Sequence, residues 1–119
     1  MAFYVLISGG RNFKNYDLLS EKLNYYLSKK NKDEIVIISG HANGTDKLAE
    51  RYAFENDIKT EIYPADWKND GKAAGYIRNS VMVKKADALI AFWDGESKGT
   101  KHAIDLAKKK GIRTVIVSY

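Results

Sequence analysis

The stretch Phe3-Tyr4-Val5-Leu6-Ile7-Ser8-Gly9-Gly10-Arg11-Asn12 decides the fold. Its apolar and aromatic start reads as a strand buried on both faces, and two glycines then stop it just before an arginine. Three other runs have the same character: Glu34 to Ile38, Asp87 to Trp93 and Ile112 to Val117. Lys59 to Tyr63 alternates polar and apolar residues, as an edge strand with one wet face does. Between these runs the apolar residues recur at helical spacing. Leu19, Leu23, Tyr26 and Leu27 form one stripe, Leu48, Ala49, Tyr52 and Ala53 a second, Ala74, Ile77, Val81 and Met82 a third, and Ala103, Ile104 and Ala107 a fourth. Five strands alternating with four helices predict an α/β fold with a parallel sheet, right-handed crossovers and helices on both faces. To cover both faces the winding must reverse once. The predicted strand order is therefore 3-2-1-4-5, with a ligand crevice beyond the carboxyl ends of strands 1 and 4.

Composition narrows the function classes. The chain has 119 residues, no cysteine and one proline, which predicts a single domain over residues 1–119 with neither disulfides nor thiol chemistry. No apolar run approaches the ~20 residues of a membrane span. Met1 to Ile7 lacks a basic leader and a cleavage site, so no signal peptide, no membrane partner and a cytoplasmic location are expected. Lys plus Arg number 20 against 15 Asp plus Glu, a net charge of +5. Lys29, Lys30 and Lys32, then Lys84 and Lys85, then Lys108, Lys109 and Lys110 close predicted helices, where the helix dipole favours cations and where a parallel α/β fold turns away from its ligand edge. The crevice is left with Arg11, Lys72, Arg78, Lys98 and Lys101.

The loops at the predicted crevice are glycine-rich. Gly9 and Gly10 follow strand 1, Gly40 and Gly44 follow strand 2, and Gly95 and Gly99 follow strand 4. Such turns bring backbone N–H groups and a helix N-terminus close to an anion, although tight strand-to-helix turns alone also use glycine. Gly95 to Thr100 does not match the nucleoside-triphosphate loop, because it is one residue short between glycines and Lys98 precedes the second glycine. The dinucleotide fingerprint is absent after strand 1, so neither an ATPase nor a nicotinamide enzyme is expected.

Five motifs in order, covering nearly the whole chain, carry a resemblance. They are Ser8-Gly9-Gly10-Arg11, Ser39-Gly40 to Gly44-Thr45-Asp46, Pro64-Ala65-Asp66-Trp67, Gly71-Lys72-Ala73-Ala74-Gly75 to Arg78-Asn79, and Phe92-Trp93-Asp94-Gly95 to Ser97-Lys98-Gly99-Thr100. Together they resemble the SLOG superfamily, the group that includes LOG proteins and DNA processing protein A, and in particular its small YspA-related bacterial and phage branch. The resemblance implies a Rossmann-like three-layer domain, a nucleotide-derived ligand such as an ADP-ribose-like molecule or a nucleoside phosphate, no required cofactor, and a homodimer. LOG enzymes carry a glutamate three residues after a Gly-Thr pair, and here that position is Ala103. Cleavage of an N-glycosidic bond would then need another carboxylate, Asp46, Asp66, Asp94 or Glu96, with Asp46 and Glu96 the leading candidates.

The candidate ligand-binding residues are Gly9, Gly10, Arg11, Gly40, Gly44, Thr45, Asp46, Trp67, Arg78, Asn79, Gly95, Ser97, Lys98, Gly99 and Thr100. Each has a structural reading beside it. Arg11 is a phosphate fork or a solvated loop arginine. Arg78 shares an apolar helical line with Ala74 and Met82 and needs an anion or carbonyl, either the ligand or a neighbour such as Asp66. Asp46 is a ribose acceptor or water base, or half of a capping box with Asn43. Ser97 and Thr100 are phosphate ligands or caps, and Trp67 stacks on a base or plugs the sheet edge. His41, in place of a small residue, is a proton donor or a loop residue. His41 and His102 are too few and too far apart for a metal site. The functional order is nucleotide binding first, N-glycosidic hydrolysis second and single-stranded DNA third, so nucleic acid is not the expected partner.

Overall fold

The computed structural model describes residues 1–119. Its five strands are β1 (Phe3–Gly9), β2 (Ile35–Ser39), β3 (Lys59–Ile62), β4 (Ala88–Trp93) and β5 (Arg113–Ser118). They form one parallel sheet in the order β3-β2-β1-β4-β5. The helices are α1 (Tyr16–Tyr26), α2 (Thr45–Glu55), α3 (Trp67–Asp70), α4 (Ala74–Lys85) and α5 (Lys98–Lys110). The fold is the doubly wound α/β architecture expected from the alternation of strand and helix patterns.

Strand side chains alternate faces, which divides the core in two. Val5, Ile7, Ile35, Ile37, Ile90 and Phe92 face Leu19 and Leu23 of α1 and Ala49, Tyr52 and Ala53 of α2. Leu6, Ile38, Leu89 and Ala91 face Met82 and Val83 of α4 and Ile104 and Ala107 of α5. The helical stripes of the sequence are these buried faces. Stripe members Ile77 and Val81 are exceptions, exposed on the outer side of α4.

Two boundaries depend on pairing rather than composition. β1 continues through Ser8 and Gly9 because these residues pair with Ala91 and Phe92 of β4. Trp67 begins a short helix, α3. Asp66 caps that helix, accepting from the Asn69 backbone N–H at 3.2 Å. The lysine runs do lie at the amino edge of the sheet, but α1 ends at Tyr26, so Lys29, Lys30 and Lys32 are beyond its last turn. No helix is long and apolar enough to cross a membrane.

Candidate functional site

At the carboxyl edge of β1, the Gly10 carbonyl works as a latch. It accepts from the Thr45 backbone N–H at 3.2 Å, the Thr45 hydroxyl at 3.0 Å and the Phe13 N–H at 3.3 Å. Gly44 has φ +78°, and a Cβ there would collide with the Gly10 and Arg11 carbonyls. Only glycine fits that approach. Gly44 and the fully buried Thr45 therefore fasten the β1 loop to the start of α2 and line none of the larger cavities. Tyr119 adds a second fastening, with its hydroxyl 3.0 Å from Asn12 Oδ1 and its ring 4.6 Å from that of Phe13.

The latched loop opens onto three adjoining cavities. One, of about 360 Å³, is lined by Gly9, Gly10, Arg11, Asp46, Arg78, Asn79, Asp94, Ser97, Gly99 and Thr100, among others. A second, of about 350 Å³, is lined by Arg11, Gly40, His41, Pro64, Trp67 and Arg78 with their neighbours. A third, of about 200 Å³, adds Lys72, Gly75 and Tyr76. Arg11 and Arg78 line all three. Segments from β1, β2, α4 and α5 thus meet at the switch point, and Gly10 and Gly99 share one cavity wall.

Arg78 finds a carbonyl rather than Asp66. Its Nη1 donates to the Gly40 carbonyl at 2.6 Å, and its Nε is buried without any hydrogen-bond partner. Burial weakens its hold on its proton, while the nearby Asp46 carboxylate acts in the opposite direction. A Cβ on Gly40 would stand 2.7 Å from Arg78 Nη1 and 2.9 Å from Asp46 Oδ2, so this glycine makes room for both groups.

Asp46 belongs to no capping box. The N-cap of α2 is Gly44, which has no side chain to cap with, and Asp46 instead turns inward, 7% exposed. Its Oδ2 accepts from the Ala42 N–H at 3.2 Å. Burial pushes its pKa from the ordinary 3.8 up to about 6, against the pull of that N–H and of Arg78 and Arg11, while Glu50 adds to the rise.

The β4–α5 loop differs from the expected amide cradle. Asp94 Oδ1 accepts from the Glu96 and Ser97 N–H groups, each at 2.9 Å, so those donors are already used. These bonds hold the Asp94 carboxyl below the usual range. Ser97 is the N-cap of α5, its hydroxyl 3.1 Å from the Thr100 hydroxyl. Asn79 is buried and donates to the Gly99 carbonyl at 3.1 Å, tying α4 to α5. Gly95, Glu96 and Lys98 line none of the three cavities, whereas Asp94, Ser97, Gly99 and Thr100 of the same segment line the first. Lys101 is outside as well, paired with Asp105 at 2.8 Å. Ala103, at the position of the LOG glutamate, is fully buried.

Glu50 is a residue the sequence reading passed over. It accepts from the Ser39 hydroxyl at 2.7 Å and lies 3.0 Å from His41 Nδ1, holding the imidazole at the rim of the second cavity. His41 has φ +62°, a left-handed turn that brings it back over α2. Glu50 follows Asp46 by four residues, so the two stand on one line of the helix. That spacing was the available signal.

A doubly wound domain with an arginine-lined crevice at its switch point is the class defined by this geometry. The model of the YspA, cpYpsA-related SLOG family matches residues 3–69. Gene 61 protein of Mycobacterium phage D29 is 35% identical over 121 residues, covering 93% of each chain. The chain belongs to the YspA, cpYpsA-related SLOG family. Among solved structures, DNA processing protein A from Streptococcus pneumoniae shares the fold with a TM-score of 0.74 at 21% identity, over 97% of this chain and 50% of that one. The Helicobacter pylori protein of the same name gives 0.70 at 23% identity, over 96% of this chain and 64% of that one. This chain therefore spans half to two-thirds of their length. The Helicobacter protein is described for its single-stranded DNA binding mode. That finding overturns the expectation, drawn from the sequence, that nucleic acid is not the expected partner, because the same fold handles single-stranded DNA there.

Proposed function

We propose that this domain binds a nucleotide through its phosphate at the carboxyl edge of β1 and β4, with Arg11 and Arg78 as the cationic contacts. The buried, unpartnered Nε of Arg78 carries this reading. A guanidinium donor withheld from water costs about 1–3 kcal/mol when unsatisfied, and an anion in the crevice would relieve that cost. Trp67, 52% exposed at the rim of the second cavity, offers a face for a base. Of the carboxylates in the crevice, Asp94 is committed to the Glu96 and Ser97 N–H groups and Asp46 is the remaining candidate for hydrolysis, with Ala103 at the position of the LOG glutamate.

A second reading, in which the nucleotide is a unit of single-stranded DNA, is supported by the fold shared with DNA processing protein A. Titration with nucleoside mono- and diphosphates and with oligothymidylates of increasing length tests both. Saturable binding to small nucleotides supports the first reading. Affinity that grows with strand length and falls steeply with salt supports the second. No binding to any of them refutes the proposal.

A further inference from the structure

The charge and shape of the crevice restrict which phosphate it can hold. Its three cavities bear three cations, Arg11, Arg78 and Lys72, against two carboxylates, Asp46 and Asp94. The surplus is a single positive charge. Asp46 is the decisive member, since it is almost fully buried, lines the 360 Å³ cavity beside Arg78, and commits only Oδ2 to the protein, through Ala42. A terminal phosphomonoester carries close to two negative charges at neutral pH, and its second charge would lie against this carboxylate. A phosphodiester carries one.

The shape agrees with the charge. Arg11 and Arg78 stand where the cavities meet, with about 360 Å³ on the side of α5 and about 350 Å³ on the side of Trp67. A terminal phosphate needs a closed end, whereas a diester continues on both sides of phosphorus, and space is open in both directions here.

Building on the nucleotide-binding reading above, we propose that Asp46 makes the crevice selective for a phosphodiester, so that the ligand presents an internal, singly charged phosphate to Arg11 and Arg78. The groups facing Asp46 are Arg78 from α4, Arg11 from the β1 loop and Glu50 from its own helix.

The test compares each of the four nucleoside 5′-monophosphates with its methyl ester, which has one charge fewer and nearly the same size. In a plain two-arginine site the ester binds more weakly. Here it binds about fivefold more tightly or better near pH 8, and the preference closes near pH 5, where the monoester sheds its second charge. Asp46→Asn removes the preference near pH 8 and leaves the ratio near pH 5, where Asp46 is itself largely protonated, unchanged. If that variant does not fold, the wild-type ratio and its pH dependence decide the matter alone.

A monophosphate that binds near pH 8 at least as tightly as its ester, with Arg78→Met abolishing both, overturns the selectivity while leaving the nucleotide site intact. Failure of every nucleotide and oligothymidylate to bind overturns both. Dinucleoside monophosphates and longer oligothymidylates separate the sources of the diester. Affinity that levels off at the dinucleotide supports a small molecule, and affinity that keeps rising with length supports a strand.

Discussion

The two edges of the sheet use positive charge in opposite ways. At the amino edge, lysines are numerous, and several are engaged by the fold while the others lie exposed to water. Lys110 donates to the carbonyls of Val83, Lys84 and Ala86 at 2.7–3.0 Å, closing the end of α4 from the neighbouring helix. Lys30 and Lys85 lie over the rings of Phe3 and Tyr4, and Lys85 also reaches Glu61 at 3.4 Å. At the carboxyl edge the cations are few, and one has a buried donor with nothing to bond. The lesson is that the number of charges does not locate a site. A cation whose partners are supplied by the fold or by water is structural, and a buried donor left without either is available for a ligand.

The strongest way to break this contrast is Arg78→Met, which keeps the stem and removes the guanidinium. Nucleotide affinity is expected to fall about a hundredfold, ~2.7 kcal/mol by titration calorimetry. A loss below threefold would mean that the free donor is not the contact.

Next comes Asp46, through pH. Because burial raises the folded pKa from 3.8 to about 6, the folded state binds this proton more tightly than the unfolded chain does. Stability is therefore highest below about pH 4 as far as this group is concerned, and declines as pH rises through about 6, by about 2–3 kcal/mol in all. Asp46→Asn should flatten that decline in denaturant midpoints measured between the two pH values. An unchanged profile would show that the carboxyl titrates normally.

Thr45→Val keeps the shape but removes the hydroxyl bond to the Gly10 carbonyl, at a cost of about 1–2 kcal/mol. In a chain of this size that is a drop of several degrees in Tm. Affinity should fall with it, because the β1 loop loses its latch.

The smallest effects belong to the amino edge. Lys110→Met lowers Tm by a few degrees through the lost carbonyl cap and leaves binding unchanged. Replacing Lys84, Lys108 and Lys109 together by Gln keeps nucleotide affinity within about twofold at ordinary ionic strength. A larger loss would make the amino edge part of the interface and end the contrast.

Much of this was legible in the sequence, for identifiable reasons. Continuous apolar runs such as Phe3 to Ile7 mark strands buried on both faces, period-3.6 stripes such as Leu19 to Leu27 mark the covered face of a helix, and their alternation sets the winding and strand order. The convergence of Gly10, Arg78 and Gly99 followed from that topology. What escaped were pairings between distant residues. Asn43 and Asp46 have capping-box spacing, yet Gly44 takes the N-cap and Asp46 turns inward. The loop from Asp94 to Ser97 looks like an open phosphate cradle, yet Asp94 consumes its amides. Glu50, one turn beyond Asp46, carried no motif at all.

The sequence alone determined the layered architecture, the order of its strands and the edge where the crevice lies, because periodic burial and chain connectivity are properties of neighbours along the chain. The tertiary structure alone decided which of the glycine-loop residues remain free to meet a ligand. Hydrogen-bond donors and acceptors are finite, and only the folded positions of Gly10, Gly40, Asp46 and Asp94 reveal which have already been used.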